Sequence, residues 1–230
     1  MTAYDQIVGL ERAKGKTKYL WKAKDNLQKL RQLTDRMCKR NYDEGQGFWQ
    51  FSHLNTIDIG EDGDLLVTDT GCFSTFFVLN PETEELRWSR PKGRANNFPS
   101  NGIHAARYIS KDKILVLLNK VEEGFSEVRL MEAGSGETVW QYKSAVAGAF
   151  FSKFFGGVHS LENGNYLVTH ISNGGAAFEL TPERRIVWEW NNEVLNPYGE
   201  RETGYRVWRV EQALVEPYLK AWAKVVGGGT

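Results

Sequence analysis

Cysteine is scarce: the 230 residues hold only Cys38 and Cys72. The two form no close pair or metal-ligand spacing, and nothing requires a disulfide between them, so cysteine usage leaves the redox compartment undecided. Net charge is missing as well. Lys and Arg total 29 and so do Asp and Glu, which argues against a dominant nucleic-acid or anionic-membrane role. No apolar run approaches the ~20 residues that cross a bilayer. The first residues lack the apolar core of a signal peptide, so the expectation is a soluble chain that stays where it is made, at a location the sequence does not name. P-loop, dinucleotide and zinc spacings are all absent. Asp62-Gly63-Asp64 lacks the ligand ladder ending in Glu that an EF-hand needs, and a hairpin turn accounts for it. No metal or cofactor is expected.

Aromatic residues and repetition are what the sequence has in quantity. Eight tryptophans and a 41% hydrophobic content readily supply a buried core. Residues 51–88 set the pattern. Ser52-His53-Leu54-Asn55-Thr56-Ile57-Asp58-Ile59 leads through Glu61-Asp62-Gly63-Asp64 to Leu65-Leu66-Val67, then to Phe76-Phe77-Val78-Leu79 and Leu86-Arg87-Trp88. The pattern recurs from Ile103-His104 to Trp140 and from Val158-His159 to Trp188. Each repeat opens near a histidine, holds four short apolar runs and closes on a tryptophan. Four-stranded repeats of this length are propeller blades, which must stack because one such sheet cannot bury both of its faces.

The flanks fit around these repeats. Residues 4–22 carry the second half of a blade, with strands over Asp5–Leu10 and Thr17–Trp21. Leu27, Leu30, Leu33 or Thr34, and Met37 fall at helical spacing and predict a short amphipathic helix within residues 24–40. Asn41–Gly47 reads as a polar loop. Two long loops, Ser89–Gly102 and Tyr142–Gly157, join the blades; the phenylalanines of the second, Phe150, Phe151, Phe154 and Phe155, either serve function or plug the propeller end. Tyr205–Val210 reads as one more strand. Residues 211–224 read as helical, with Pro217 opening a second short helix. The expected fold is all-β, a partial β-propeller of about three complete blades over residues 1–210, followed by a helical segment and glycine-rich tail at 211–230. A closed propeller needs at least four blades. The chain therefore reads as a fragment, an open arc or half of an assembly, and its open sheet edges predict self-association or pairing with further blades.

The residues also resemble a known family. His53-x-Asn55 before an apolar strand, Trp88, His104, and Phe151-Ser152 through Gly156-Gly157 to Leu161-x-Asn163-Gly164-Asn165-x-Leu167 carry the likeness. Phe178-Glu179-Leu180-Thr181-Pro182, Ile186-Val187-Trp188-Glu189-Trp190 and Tyr205-Arg206-Val207-Trp208 extend it. Together they resemble the C-terminal part of an arylsulfotransferase propeller. The resemblance implies transfer of a sulfuryl group from an aryl sulfate to a phenol through a sulfated histidine, with no nucleotide donor. It implies His104 as nucleophile, and His53 and Asn55 as the pair holding the sulfuryl or phenolic oxygens. Thr70 stands where the family places an arginine, and a further family histidine belongs to an earlier blade that this sequence does not include. The resemblance therefore implies a site short of one cation and one histidine. Read without it, His53, His104 and His159 are repeat-position residues that tie each inner strand to the next blade. His170, Arg107 and Tyr108 stand in or near strands and remain unassigned. The rival expectation is a non-catalytic propeller scaffold that binds a protein or small molecule on one face.

Overall fold

The computed structural model describes residues 2–32, 41–43, 48–50, 52–70, 75–89, 102–120, 123–146, 148–171, 175–195, 197–199 and 206–227. Three four-stranded antiparallel sheets follow one another, each with its strands in sequence order from inside to outside. The first blade comprises Leu54–Ile59, Leu65–Asp69, Thr75–Leu79 and Leu86–Ser89. The second comprises Ile103–Ser110, Lys113–Lys120, Phe125–Glu132 and Thr138–Tyr142. The third comprises Gly157–Ser160, Tyr166–His170, Ala176–Leu180 and Ile186–Asn191. An antiparallel hairpin, Gln6–Glu11 with Lys16–Lys22, precedes them as the outer half of a blade. The architecture is a partial β-propeller.

Stacking is what holds these sheets. The middle strands of the first and third blades are buried along their whole length, Leu65–Asp69 and Tyr166–His170 among them, as expected of strands covered on both faces. Ile7 and Trp21 of the hairpin pack on Leu65, Val67, Phe77 and Leu79 of the first blade. Leu66, Phe76 and Val78 on its other face meet Ile114, Val116 and Leu118 of the second. Leu115, Leu117 and Val128 then meet Val158, Val168 and Phe178 of the third. Alternation along each strand sends one residue set forward and the other back, so every blade-blade contact is built from the same period-two pattern. The repeated turns need left-handed backbone, and glycine supplies it at φ +83° for Gly63 and +82° for Gly164.

Several expectations change at the flanks. The predicted amphipathic helix is a 3-10 turn, Ala23–Asn26, followed by a helix at Leu27–Gln32; its remaining predicted span lies outside the described residues. Asn41–Asp43, expected as loop, pairs antiparallel with Phe48–Gln50, on which Thr2–Ala3 pairs in parallel. Pro217 does not open a second helix. Gln212–Gly227 is one helix with Pro217 in its second turn, near enough to the start that few backbone bonds are lost. Residues 206–211 form no regular strand; side-chain hydrogen bonds and a ring stack hold them instead. The Ser89–Gly102 loop interior, Cys38 and Cys72, and the side chain of Trp88 lie outside what is described. No helix of the described residues is long and apolar enough to cross a membrane.

Candidate functional site

The inner strands of the three blades run side by side, the second between the other two. Tyr108 N donates to Asp58 Oδ2 at 2.7 Å, and Arg107 Nη1 donates to the Ile57 carbonyl at 2.8 Å, tying the first inner strand to the second. At the start of these strands the sequence-predicted residues come together. Asn55 Nδ2 lies 3.3 Å from His104 Nε2. His104 Nδ1 lies 3.3 Å from the carbonyl of Gly156, which leads into the third inner strand. One imidazole thus joins all three blades. His53 is exposed at the rim, close enough to act electrostatically on His104.

A cation that sequence reasoning did not assign completes the group. Arg206 Nη2 donates to Asn55 Oδ1 at 2.7 Å, and its Nε reaches the Gly156 carbonyl at 3.5 Å. The site expected to lack a cation has one, supplied from 151 residues beyond Asn55 rather than from the neighbouring strand. Thr70, where the resemblance implies an arginine, donates through its hydroxyl and its amide to the His53 carbonyl, at 3.2 and 2.9 Å, and so fixes the rim backbone. Two glycines make room for the arrangement. A Cβ on Gly156, whose φ is +120°, would stand 2.8 Å from the Thr169 carbonyl oxygen and from Leu117 Cδ2. A Cβ on Gly157 would press on Arg206 Cγ at 3.2 Å.

The hydrogen bonds assign the imidazole. The Gly156 carbonyl can only accept, so Nδ1 carries the proton and Nε2 keeps its lone pair toward the Asn55 amide. Asn55 is oriented in turn because its Oδ1 accepts from Arg206. Burial, with Arg206 and His53 adding to it against the opposing Gly156 bond, lowers the His104 pKa to about 4. His104 is therefore neutral at neutral pH. It presents a lone pair beside an amide donor and a guanidinium, a combination suited to attacking an electrophile that bears anionic oxygens.

Farther along the inner strands lies a second cluster. His159 stacks on Trp208 with ring centroids 3.8 Å apart, and the Arg107 guanidinium lies 5.6 Å from the Trp208 ring. Asp58, Arg107, Tyr108, His159, Ser160 and Trp208 line a cavity of about 160 Å³. His170 is buried edge-on against Phe150 and close to Phe178, so it faces neither channel nor solvent. Phe150 belongs to the core, while Phe154 and Phe155 are exposed, so the expected plug is divided.

No family model matches the chain, and no curated protein matches it. Solved structures do. A Bacteroides caccae protein of unknown function aligns at TM-score 0.48 and 12% identity over 85% of this chain and 59% of its own. The periplasmic gluconolactonase PpgL of Pseudomonas aeruginosa aligns at 0.47 and 17%, over 86% and 55%. The Dos1 propeller aligns at 0.41 and 12%, over 67% and 39%. The chain spans less than two thirds of each of these neighbours.

Proposed function

We propose that the His104 site transfers a sulfuryl group from an aryl sulfate to a phenol through a sulfohistidine. His104 Nε2 attacks sulfur, and a nitrogen–sulfur bond forms. The bond from sulfur to the aryl oxygen breaks, and its electron pair leaves on the phenolate, which takes a proton from solvent. The proton stays on Nδ1, hydrogen-bonded to the Gly156 carbonyl, so the ring is cationic in the adduct and leaves readily. The acceptor phenol's oxygen then attacks sulfur, the nitrogen–sulfur bond breaks, the pair returns to Nε2, and the phenolic proton is released. Arg206 and the Asn55 amide hold the sulfuryl oxygens as charge builds on them. His53, exposed at the rim, holds the phenolic oxygen.

The observation that carries this reading is the imidazole with its Nδ1 committed to Gly156 and its Nε2 beside Asn55 and Arg206. The test is release of nitrophenolate from a nitrophenyl sulfate in the presence of an acceptor phenol, with mass spectrometry for an added SO3 group on the peptide containing His104. Absence of both from folded protein would sink the proposal. The rival reading, a non-catalytic scaffold, draws on Thr70 and on the exposed aromatic surface of the third blade. It expects a protein or small-molecule partner whose binding survives loss of both His53 and His104.

A further inference from the structure

The three blade-closing tryptophans whose side chains are described occupy the same repeat position in very different surroundings. Trp21 is 1% exposed, its ring 5.6 Å from Phe77 of the first blade. Trp140 points forward onto the third blade, its ring 5.1 Å from Tyr166 and its Nε1 donating to the Pro182 carbonyl at 2.7 Å. Trp188 points forward from the third blade and is 43% exposed, beside Trp190 at 38%. With Leu167, Val207, Trp208 and Val210 these two line a slot of about 370 Å³. No sheet of the described residues covers it. Large side chains grouped in this way mark an interaction surface, unlike apolar residues scattered singly.

The matching half of such a contact is also bare. In the amino-terminal hairpin, Ile7 and Trp21 turn toward the first blade; alternation sends Val8 and Leu10 to the opposite face, and the register shift at Leu20 brings Tyr19 opposite Val8 on that same face. Those three are 46%, 61% and 56% exposed. Elsewhere in the molecule, that backward face is the one that receives the preceding blade's tryptophan.

We propose that the forward face of the third blade, centred on Trp188 and Trp190, docks the Val8–Leu10–Tyr19 face of a second copy of this chain. The two copies form a head-to-tail ring about a two-fold axis. Each interface repeats the blade-to-blade packing already present inside the chain, so the contact is face to face rather than between the unpaired strand edges that sequence alone suggested. Two identical contacts close the ring and leave neither face open to further growth. The proposal is independent of the sulfuryl-transfer reading.

Sedimentation of the full chain, alone and in mixtures, tests it. Wild type sediments at twice the chain mass at micromolar concentration. Trp188→Asp and Leu10→Asp each give monomer, and because both residues are exposed, each variant keeps the wild-type circular dichroism, while its melting transition falls only by the association it has lost. Mixing the two monomeric variants restores one intact interface, from the Trp188 face of one to the Leu10 face of the other, and dimer returns with at least roughly tenfold weaker affinity as one of two contacts is lost. A wild-type monomer at 100 μM, as expected if a segment of the same polypeptide fills the slot, would overturn the proposal. So would a dimer that both substitutions leave intact, or a mixture that stays monomeric, the result expected if Trp188 packs on its own symmetry mate.

Discussion

Two histidines sit on neighbouring inner strands, both with pKa values lowered to about 4, and only one of them has the partners that the proposed sulfuryl transfer requires. His104 has a partner at each ring nitrogen and a guanidinium within one amide of its lone pair. His159 is stacked on Trp208, and among the described residues nothing hydrogen-bonds its buried Nε2. Burial is the first cause of the lowered pKa in both, so a perturbed histidine by itself does not identify a site. What separates them is which nitrogen is committed, and to what. At His104 the Gly156 carbonyl fixes the tautomer and leaves Nε2 facing donors. At His159 the ring is a wedge between an arginine and an indole.

Removing each ring in turn tests that difference most severely. His104→Ala is expected to lower aryl-sulfate turnover by on the order of 10³-fold or more, the scale of losing a nucleophile, with no sulfated peptide recovered. His159→Ala is expected to change turnover by less than about tenfold, since it touches the site only through the course of residues 206–208. Equal losses from the two variants would erase the distinction. Arg206→Ala comes next, with an expected loss of about 10²- to 10³-fold for removing a preorganised donor to developing charge. Arg206→Lys should recover only part of it, because an ammonium cannot span the Asn55 and Gly156 oxygens as the planar guanidinium does. Steady-state kinetics on all four variants gives the ranking.

Gly156→Ala probes the same contrast from the backbone. The new Cβ collides with the Thr169 carbonyl oxygen, and the positive φ is itself strained for alanine. The expected cost is about 1–3 kcal/mol of folding stability, with lower turnover as the carbonyl that fixes the His104 tautomer moves. Gly164→Ala is the control. Its φ is also positive, but a Cβ there meets nothing within 4 Å and the turn is remote from His104, so stability falls while turnover holds. Thermal melts and rates measured together separate the two variants.

The blades were legible because period-two alternation, turn glycines and terminal tryptophans repeat locally, and the strand bounds follow them closely. His53, Asn55 and His104 were legible as a group only through the family resemblance; composition gives no reason to join residues 49 apart. Arg206 was missed because its role depends on where an irregular segment returns to the inner strands. The sole local hint was Tyr-Arg-Val-Trp, whose alternation reads as a strand. Gly156-Gly157 carries part of the resemblance for a steric reason that no local pattern displays: one glycine offers its carbonyl where a Cβ would collide, and the other clears the arginine. The open tryptophan face was hidden because Trp188 looks the same in sequence as Trp140, and only the third blade's neighbours tell them apart.

The smallest expected effect concerns folding against pH, and it brings in the third lowered histidine. His104 and His170 are each 7% exposed with pKa values lowered to about 4, so the folded chain binds fewer protons than the unfolded one between about pH 4 and the ordinary value of 6.5. Their stabilisation is fully present above about pH 6.5 and is lost as pH falls toward 4, at about 1.4 kcal/mol per pH unit for each histidine that titrates only on unfolding. Replacing His170 by leucine should lower the slope by one such increment, because the Phe150 and Phe178 edges accept an aliphatic group and no ionisable one remains. His104→Asn should lower it by a similar increment while also abolishing turnover. Denaturant unfolding at several pH values between 4 and 7 gives both slopes. If His170→Leu left the slope unchanged, the ring would have to charge inside the fold, and burial among phenylalanines would no longer account for its neutrality.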